Sequence, residues 1–415
     1  MKYTLKNIIS SGIPSYCTGN WIVIEFLIQI YKKINKHLLI ECTANQVNQF
    51  GGYTGYTPKQ FFEHVNALAL KNGFPLDKLV LGGDHLGPLV WKNENESDAM
   101  DKAEDLVRYF VRAGYQKIHL DTSMRLGSDD KSVSLSREKI AKRGLRLYLA
   151  CKDEQKKLNQ NNEIIFVIGS EVPVPGGEVD CEGMEITSAT DAKKTVDIYK
   201  KIFFEAGVSE EDWESDIVAL VVQPGVEFGK DKAIRYNRNR AKELTGVKLK
   251  DGIVFEGHST DYQFPKSLKE MVNDGIKILK VGPELTFSLR SSLERLELVE
   301  KKYGKFQEIS NFGKILTEEM LKDSRYWNSY YDPEDLSLFD HSLLDRSRYY
   351  LTSENVLTAI SKLRDNVKEI DDIGVLYKIL PELISTDIDC HELIFEEIIR
   401  KNLKHIVDKY EAAFE

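Results

Sequence analysis

Short apolar runs alternate with longer amphipathic stretches through the first 300 residues of the chain. Runs of this length that stand between turn residues are typical of buried β-strands. Eight of them occur, and nearly every one is followed by polar or glycine residues at the point where the strand would end. The predicted strands cover residues 13–17, 38–43, 78–83, 117–122, 164–168, 217–222, 253–255 and 276–281.

Between these runs, apolar residues recur at the spacing that is typical of helices. The predicted helices cover residues 20–36, 57–72, 96–113, 134–160, 192–206, 230–244 and 265–274. Strands that alternate with helices form a parallel sheet, and eight such units close into a (β/α)8 TIM barrel. An open, doubly wound sheet is the alternative. The polar residues after the strands favour the barrel, because a barrel gathers all eight loops around one site.

The pattern changes near residue 300, and from there only helical spacing is found. An aromatic and polar segment, 326–350, interrupts the later helices, which are predicted at 309–324, 353–367, 374–383 and 390–414. We therefore expect a barrel that carries the site at residues 1–300 and an α-helical C-terminal extension at 301–415. The extension is expected to pack on the barrel or to form a subunit interface in an oligomer.

Composition excludes several classes of protein. The net charge is −9, so the chain offers no basic surface for nucleic acid. The most apolar segment, 21–31, contains Glu25 and Gln29 and is too short to span a bilayer, so no membrane role is expected. The chain also begins without the apolar core of a secretory signal. Scattered cysteines without a CxxC pair indicate reduced thiols in the cytoplasm; they are Cys17, Cys42, Cys151, Cys181 and Cys390.

The stretch 79–88 reads Leu-Val-Leu-Gly-Gly-Asp-His-Leu-Gly-Pro and places an acid beside an imidazole where a buried strand ends. Side chains alternate along a strand, so His85 shares a face with Gly83 whereas Asp84 points the other way. Asp84 is expected to reach the same pocket only if the strand end twists at its two glycines. It is then a candidate general acid or base; otherwise it is a turn or capping acid.

Imidazoles at three strand ends predict a divalent metal site, most simply for zinc. His85 and His258 lie at loop junctions and are the stronger candidate ligands. His119 lies deeper and is expected either to bind the metal or to support the ligands, and Glu171 competes with it as third ligand. The alternative for any one of them is a hydrogen-bonded barrel residue without a ligand role.

Carboxylates and other polar side chains cluster at the same predicted mouth. Asp84, Glu41, Glu256 and Asp121 are the candidate acid–base groups. Lys280 could form a Schiff base with a ketose, but pairing with a carboxylate or a phosphate is favoured because carboxylates surround it. Phosphates in barrels bind after the seventh and eighth strands, near Ser259, Thr260 and Gly282. The candidate substrate and phosphate-binding residues are Asn45, Gln49, Gln223, Ser259, Asp261, Lys280, Arg346 and Arg348.

Nucleotide chemistry gains no support from the sequence. The phosphate-binding pattern GxxxxGK[ST] is absent, and no GxGxxG follows the first predicted strand. The loops at 51–55 and 176–177 are rich in glycine but match neither pattern.

At residues 41–55 the chain reads Glu-Cys-Thr-Ala-Asn-Gln-Val-Asn-Gln-Phe-Gly-Gly-Tyr-Thr-Gly, and at 82–88 Gly-Gly-Asp-His-Leu-Gly-Pro. With these motifs the chain resembles the GatZ/KbaZ subunits of tagatose-1,6-bisphosphate aldolase. Ser347 and Leu351 depart from the family pattern, which has Ile and Trp there, and the stretch 179–186 is unusual. Further resembling motifs lie at 117–121, 170–177, 221–228, 256–263, 279–283 and 345–350.

The resemblance implies a barrel of the class II aldolase type and a role in galactitol, tagatose or N-acetylgalactosamine breakdown. Family members are described as supporting a separate catalytic aldolase subunit, and some have been named tagatose-6-phosphate kinases. Two hypotheses stay open: a non-catalytic aldolase partner, and a metal enzyme that acts on ketohexose phosphates by retro-aldol cleavage or C4 epimerisation. We expect the chain to keep a functional site, because polar groups buried without partners cost free energy. Arg346 or Arg348 is expected to meet the substrate phosphate, or else to form a surface salt bridge.

Overall fold

Eight parallel strands close into a barrel in the computed structural model, which describes residues 4–159, 162–170, 184–381 and 394–415. Around the barrel each strand pairs in parallel with the next, and the last strand closes on the first. The predicted (β/α)8 TIM barrel is therefore confirmed. Its strands are β1 (Ile13–Cys17), β2 (Leu38–Thr43), β3 (Leu79–Leu86), β4 (Lys117–Leu120), β5 (Ile165–Ile168), β6 (Ile217–Val222), β9 (Val254–Gly257) and β10 (Ile276–Val281).

Helices follow the strands and form the outer layer. Their starts have local causes: Thr57 and Gln60 form a reciprocal cap at one helix, where Pro58 takes the first helical position, and Asn20 caps another. The helices are α1 (Leu5–Ser11), α2 (Trp21–Ile34), α3 (Pro58–Lys71), α4 (Glu96–Ala113), α5 (Arg137–Lys157), α6 (Ala189–Glu205), α7 (Glu210–Asp216), α8 (Arg238–Thr245), α9 (Pro265–Asn273), α10 (Pro283–Tyr303), α11 (Phe312–Lys322), α12 (Ser337–His341), α13 (Glu354–Lys368), α14 (Ile373–Ile379) and α15 (Ile394–Glu411). Single turns of 3-10 helix lie at Leu76–Lys78, Pro88–Trp91, Ser324–Tyr326 and Arg346–Tyr349.

One predicted helix begins later than its pattern suggested. Residues 230–237 were expected to be helical, but they contain β8 (Ala233–Ile234), which pairs with β7 (Glu227–Phe228) as a small antiparallel hairpin. The helix α8 starts only at Arg238, because the side chain of Asn237 accepts hydrogen bonds from the backbone N–H groups of Asn239 and Arg240.

The barrel interior holds an apolar layer beneath its polar mouth. Leu39, Val80 and Ile278 belong to one buried cluster with Leu5 and Ile9 of α1. Since α1 precedes β1 directly, it covers the amino end of the strands. The carboxyl ends are left open for the loops that carry function.

The last helix contributes to the barrel wall. α15 packs against α2, α9, α10 and the strand β1, between the elements that begin and end the barrel. The hydroxyl of Tyr410 donates a hydrogen bond of 2.7 Å to the backbone oxygen of Thr260, in the loop after β9. The division of the chain at residue 300 stays a prediction. None of the described helices combines the length and the apolar character needed to cross a lipid bilayer.

Candidate functional site

At the end of β3 the backbone is irregular, and the side chains of Asp84 and His85 therefore both face the same cleft. The pairing of β3 with β4 shifts register between Gly83 and Leu86, and His85 adopts a left-handed conformation with a φ of 47°. Because of this bulge, two consecutive residues contact one cavity, which a regular strand would prevent. The condition stated for Asp84, an irregular strand end at its two glycines, is met one to two residues after them.

Those glycines permit close packing instead. A Cβ atom at Gly82 would lie 2.9 Å from Cγ of Glu41, and one at Gly83 would lie 2.5 Å from a methyl carbon of Leu86. The register places Glu41, Gly82 and Lys117 side by side on β2, β3 and β4. Since Gly82 has no side chain, Lys117 can reach Glu41 across the strand that separates them.

Three histidines converge at the centre of the mouth. The ring centroid of His85 lies 4.9 Å from that of His119 and 4.8 Å from that of His258. The centroids of His119 and His258 are 5.2 Å apart. One ligand atom from each histidine and one from Asp84 lie within 4.8 Å of one another. All four side chains are buried. The topology therefore brings together three of the four predicted metal ligands, while Glu171 lies outside the described residues.

Two of the histidines are held by carboxylates that were predicted as acid–base groups. Nδ1 of His85 lies 2.9 Å from Oδ2 of Asp121, whose other oxygen accepts hydrogen bonds from Ser123. Nε2 of His258 lies 2.8 Å from Oε1 of Glu256. Asp121 and Glu256 thus fix ring orientation, as the carboxylate partners of metal-binding histidines do.

The third histidine, His119, has one ring nitrogen without a partner among the described residues. Nδ1 of His119 lies 2.9 Å from Oδ1 of Asp84, and the backbone N–H of His85 points to the same nitrogen at 3.2 Å. Nε2 of His119 is buried and makes no hydrogen bond among the described residues. A buried polar nitrogen without a partner costs free energy unless a ligand or a water satisfies it.

A network of opposite charges lies beneath the histidines. The Lys280 ammonium contacts Asp84, lies 3.2 Å from Glu41 and lies 3.1 Å from Glu256. A second ammonium, that of Lys117, lies 2.6 Å from Glu41 and 2.9 Å from Glu256. Lys117 was not recognised from the sequence, although it has the same strand parity as His119 and Asp121.

This network fixes the charge states around the cavity. Burial raises the pKa of Asp84, but His85 and Lys280 outweigh it and hold that pKa well below its usual value. The pKa of Glu256 is likewise held low by Lys117 and Lys280 against the effect of burial. Burial and Lys280 lower the pKa of His258 well below its usual value. Ionised Asp84 and Glu256 and a neutral His258 are the protonation states that favour binding of a divalent metal.

Lys280 itself is protonated. Its burial would lower the pKa, but the nearby carboxylates of Asp84, Glu256 and Glu41 raise it well above the ordinary value of a lysine. A Schiff-base lysine must instead lose its proton at working pH. The contacts of Lys280 therefore correspond to the carboxylate pairing that the sequence favoured.

A cleft that is open to solvent lies above the histidines. Of the predicted residues, Asn45, Asp84, His85, His258, Ser259, Asp261, Lys280 and Arg348 line it. The side chains of Glu41, His119, Asp121 and Glu256 lie below its floor and are fully or almost fully buried. Sequence reasoning missed several lining residues, namely Cys17, Thr18, Gln46, Tyr53, Thr286 and Tyr349.

Three predicted substrate residues have other neighbours and do not line the cleft. Gln49 donates a hydrogen bond to the backbone oxygen of Lys102 at 2.9 Å. Gln223 accepts hydrogen bonds from the N–H groups that follow it in its own loop. Arg346 stacks its guanidinium 3.7 Å from the ring centre of Tyr330.

Arg348 forms part of the upper wall of the cleft. Its guanidinium donates to the backbone oxygens of Leu344 and Asp345 and, at 3.1 Å, to the hydroxyl of Tyr349. No carboxylate within the described part of the chain pairs with it. The ring of Tyr349 stacks on Tyr326 at 4.4 Å and lies 4.7 Å from the ring of Tyr53, so packed aromatic rings form part of this wall.

Two long helices direct their amino ends to the cleft, and both are already capped. The side chain of Asn20 accepts hydrogen bonds from the N–H groups of Ile22 and Val23 in α2. Oδ1 of Asp261 accepts hydrogen bonds from the N–H groups of Gly282 and Glu284 at the start of α10. Burial and the nearby Glu284 raise the pKa of Asp261 to about 7.

Comparison with known proteins finds one family across the chain. The model of the family described as D-tagatose-1,6-bisphosphate aldolase subunit GatZ/KbaZ-like matches residues 2–415. The D-tagatose-1,6-bisphosphate aldolase subunit GatZ of Escherichia coli O1:K1 is 38% identical over 398 residues, which cover 93% of this chain and 94% of that protein. The protein of the same description from Escherichia coli O6:H1 is 39% identical over the same shares.

A solved structure has the same architecture. The crystal structure of a probable tagatose 6 phosphate kinase from Sinorhizobium meliloti 1021 matches with a TM-score of 0.82 and 32% sequence identity. The match covers 97% of this chain and all of the other. Both kinds of comparison thus extend over the barrel and the C-terminal helices together.

Proposed function

Since the chain belongs to the D-tagatose-1,6-bisphosphate aldolase subunit GatZ/KbaZ-like family, we propose that it is a component of a tagatose-bisphosphate aldolase that keeps its own metal-dependent site for a ketose phosphate. The observation that carries this proposal is the convergence of His85, His119, His258 and Asp84 within 4.8 Å at the mouth of the barrel. A chain that only supported a partner would have no physical need for this cluster, because its burial is costly.

The residues fit a divalent metal, and zinc suits their donors best. His119 offers the buried Nε2 that has no protein partner among the described residues. His85 is proposed to use Nε2, since its Nδ1 faces Asp121, and His258 is proposed to use Nδ1, since its Nε2 faces Glu256. Glu171, the other candidate ligand from the sequence, lies outside the described residues.

The chemistry proposed for the site is cleavage of the bond between C3 and C4 of a ketohexose phosphate. A divalent metal bound here would act as a Lewis acid and polarise the oxygen atoms of the sugar. Asp84 is the proposed base: it is ionised, lines the cleft and can take the proton of the C4 hydroxyl as the bond breaks. The ammonium of Lys280 holds Asp84 in place and is not proposed as a nucleophile.

The sugar phosphate is proposed to lie along the cleft, with its phosphate at Arg348. The guanidinium has no carboxylate partner within the described residues and can bind two phosphate oxygens at once. Asn45 and Ser259 line the same cleft and offer hydrogen bonds to sugar hydroxyls. The partnership with a separate catalytic chain is proposed from the names of the Escherichia coli relatives, which are called aldolase subunits.

The test is turnover by the purified chain alone. Zinc-loaded and metal-stripped protein is given fructose 6-phosphate, tagatose 6-phosphate and tagatose 1,6-bisphosphate, and products are followed by NMR. We expect product with zinc, none after chelation, and none with His85→Ala, whereas the exposed His405→Ala serves as the matched control. No turnover and no bound zinc would contradict the enzymatic part of the proposal.

Two further arms separate the alternatives. Co-expression with a class II aldolase chain tests partnership, and a stable complex supports the subunit role.

The name of the Sinorhizobium meliloti protein raises the question of kinase activity. Since the sequence lacks the GxxxxGK[ST] loop, we expect no consumption of ATP in the same assay.

A further inference from the structure

The charges that line the cleft are few, and most of them are already paired. Among the described lining residues, two side chains carry positive charge, Lys280 and Arg348. The ammonium of Lys280 contacts Asp84, Glu41 and Glu256 and so has no free direction for a phosphate. Within the described part of the chain, Arg348 is left as one cation without a carboxylate partner.

Helix amino ends are the other places where a barrel can hold a phosphate, through free backbone N–H groups. The two that face this cleft belong to α2 and α10, which have 14 and 21 residues. In α2 the side chain of Asn20 already accepts from the N–H groups of Ile22 and Val23, and at α10 the side chain of Asp261 accepts from those of Gly282 and Glu284. The carboxyl group of Asp261 would also repel an anion whenever it is ionised.

Without a bound metal, the described residues around the rest of the mouth carry net negative charge. Asp84, Glu41, Glu256 and Asp121 outnumber Lys280 and Lys117 beneath the cleft. A divalent metal bound at the histidines would only bring this sum to zero, so a phosphate far from Arg348 would meet no excess positive charge in a partly dehydrated site, which costs free energy.

We propose that the cleft accepts a ketose that carries one phosphate, held by Arg348, and discriminates against ketoses that carry two. This inference rests on the proposed function and specifies the substrate class of the same site. A substrate with one phosphate differs from the bisphosphate that appears in the names of the relatives. Tyr349 and Thr352 line the cleft beside Arg348 and offer hydroxyl groups to the same phosphate.

The experiment measures binding, so it does not depend on turnover. Zinc-loaded chain is titrated calorimetrically with tagatose, tagatose 6-phosphate and tagatose 1,6-bisphosphate at one ionic strength. We expect tagatose 6-phosphate to bind tightest and the bisphosphate to bind about tenfold more weakly or worse. In Arg348→Met the affinity for tagatose 6-phosphate should fall about 30-fold or more, because a charged hydrogen-bonding partner of the ligand is lost.

Tagatose itself should bind Arg348→Met and the wild type almost equally. Arg325→Met is the matched control, since Arg325 directly precedes the aromatic segment that carries Arg348, is 75% exposed and pairs with Asp323 outside the cleft. Equal or tighter binding of the bisphosphate by the wild type would overturn the inference, and this comparison needs no variant. If turnover is intact but the preference for one phosphate is missing, this inference fails alone; if none of the three sugars binds, it fails together with the proposed function.

Discussion

The ammonium of Lys117 lies 2.9 Å from Oε2 of Glu256, and the other oxygen of that carboxylate faces Nε2 of His258 at 2.8 Å. Both Lys117 and Glu256 are fully buried. A chain of contacts therefore runs from the interior of the barrel to a proposed metal ligand. Because Glu256 occupies Nε2 of His258, the imidazole can present Nδ1 to the cavity.

Replacing Lys117 by methionine should weaken metal binding, although Lys117 is not a proposed ligand of the metal. We expect zinc affinity to fall about 10- to 100-fold, as is typical when the support of a metal-binding histidine is lost. The free energy of unfolding should fall by about 3–5 kcal/mol, because two carboxylates are left buried with one cation fewer. Zinc affinity is measured by competition with a chelating dye, and stability by urea denaturation of the metal-free chain.

Two controls accompany the Lys117 variant. Lys102→Met removes a partly exposed pair with Glu94 and should change stability by less than about 0.5 kcal/mol. Adding Glu256→Gln to Lys117→Met should recover part of the lost stability, because it removes the excess buried charge. Unchanged zinc affinity in a folded Lys117→Met protein would argue against a positioning role.

Gly87 allows a close approach that the site depends on. A Cβ atom there would lie 1.7 Å from the backbone oxygen of Asp121, the residue that holds His85. Gly87→Ala should therefore displace the loop, lower the free energy of unfolding by more than about 2 kcal/mol and weaken zinc binding. Gly313→Ala, in α11, should be neutral or slightly stabilising, because the nearest atom would lie 3.4 Å away. Equal melting temperatures for the two variants would contradict this expectation.

Asp261 gives a prediction about pH. Its pKa is about 7 in the folded chain, whereas an unfolded aspartic acid has a value of about 3.9. Between these values the unfolded state has lost a proton that the folded state keeps, so this group makes the protein less stable as pH rises from about 4 to about 7. Asp261→Asn removes this pH-dependent loss of stability, and its amide oxygen can still accept the hydrogen bonds at the start of α10.

The Asp261→Asn variant should match the wild type near pH 4 and exceed it increasingly up to pH 7. The difference should level off above pH 7, on the order of 2–4 kcal/mol in the free energy of unfolding. Urea denaturation at a series of pH values measures it, with the exposed Asp332→Asn as control. A difference that shrinks as pH rises would contradict the assigned sign.

The sequence was sufficient for the barrel because eight apolar runs and the helices between them each obey a local rule. It also predicted that His85, His119 and His258 would lie close together, because the carboxyl ends of parallel strands must meet at one mouth. Lys117 escaped notice because it lies at the start of its strand. Only the stagger of a closed barrel brings that position level with Glu41 near the end of β2.

The orientation of Asp84 could not be derived from alternation either. Alternation assumes a regular strand, whereas the pairing of β3 with β4 shifts register here and His85 has a left-handed backbone. Similarly, Asp261 was expected near a phosphate, but its hydrogen bonds to Gly282 and Glu284 depend on how the loop after β9 meets α10. Such contacts between loops have no periodic signature in a sequence.

His85, His119 and His258 are proposed to hold a divalent metal. Crystals of the chain grown with zinc, measured on both sides of the zinc absorption edge, test it most directly. We predict one strong anomalous peak about 2.0–2.1 Å from Nε2 of His85, Nε2 of His119 and Nδ1 of His258. A map with no peak among these three rings would contradict the account.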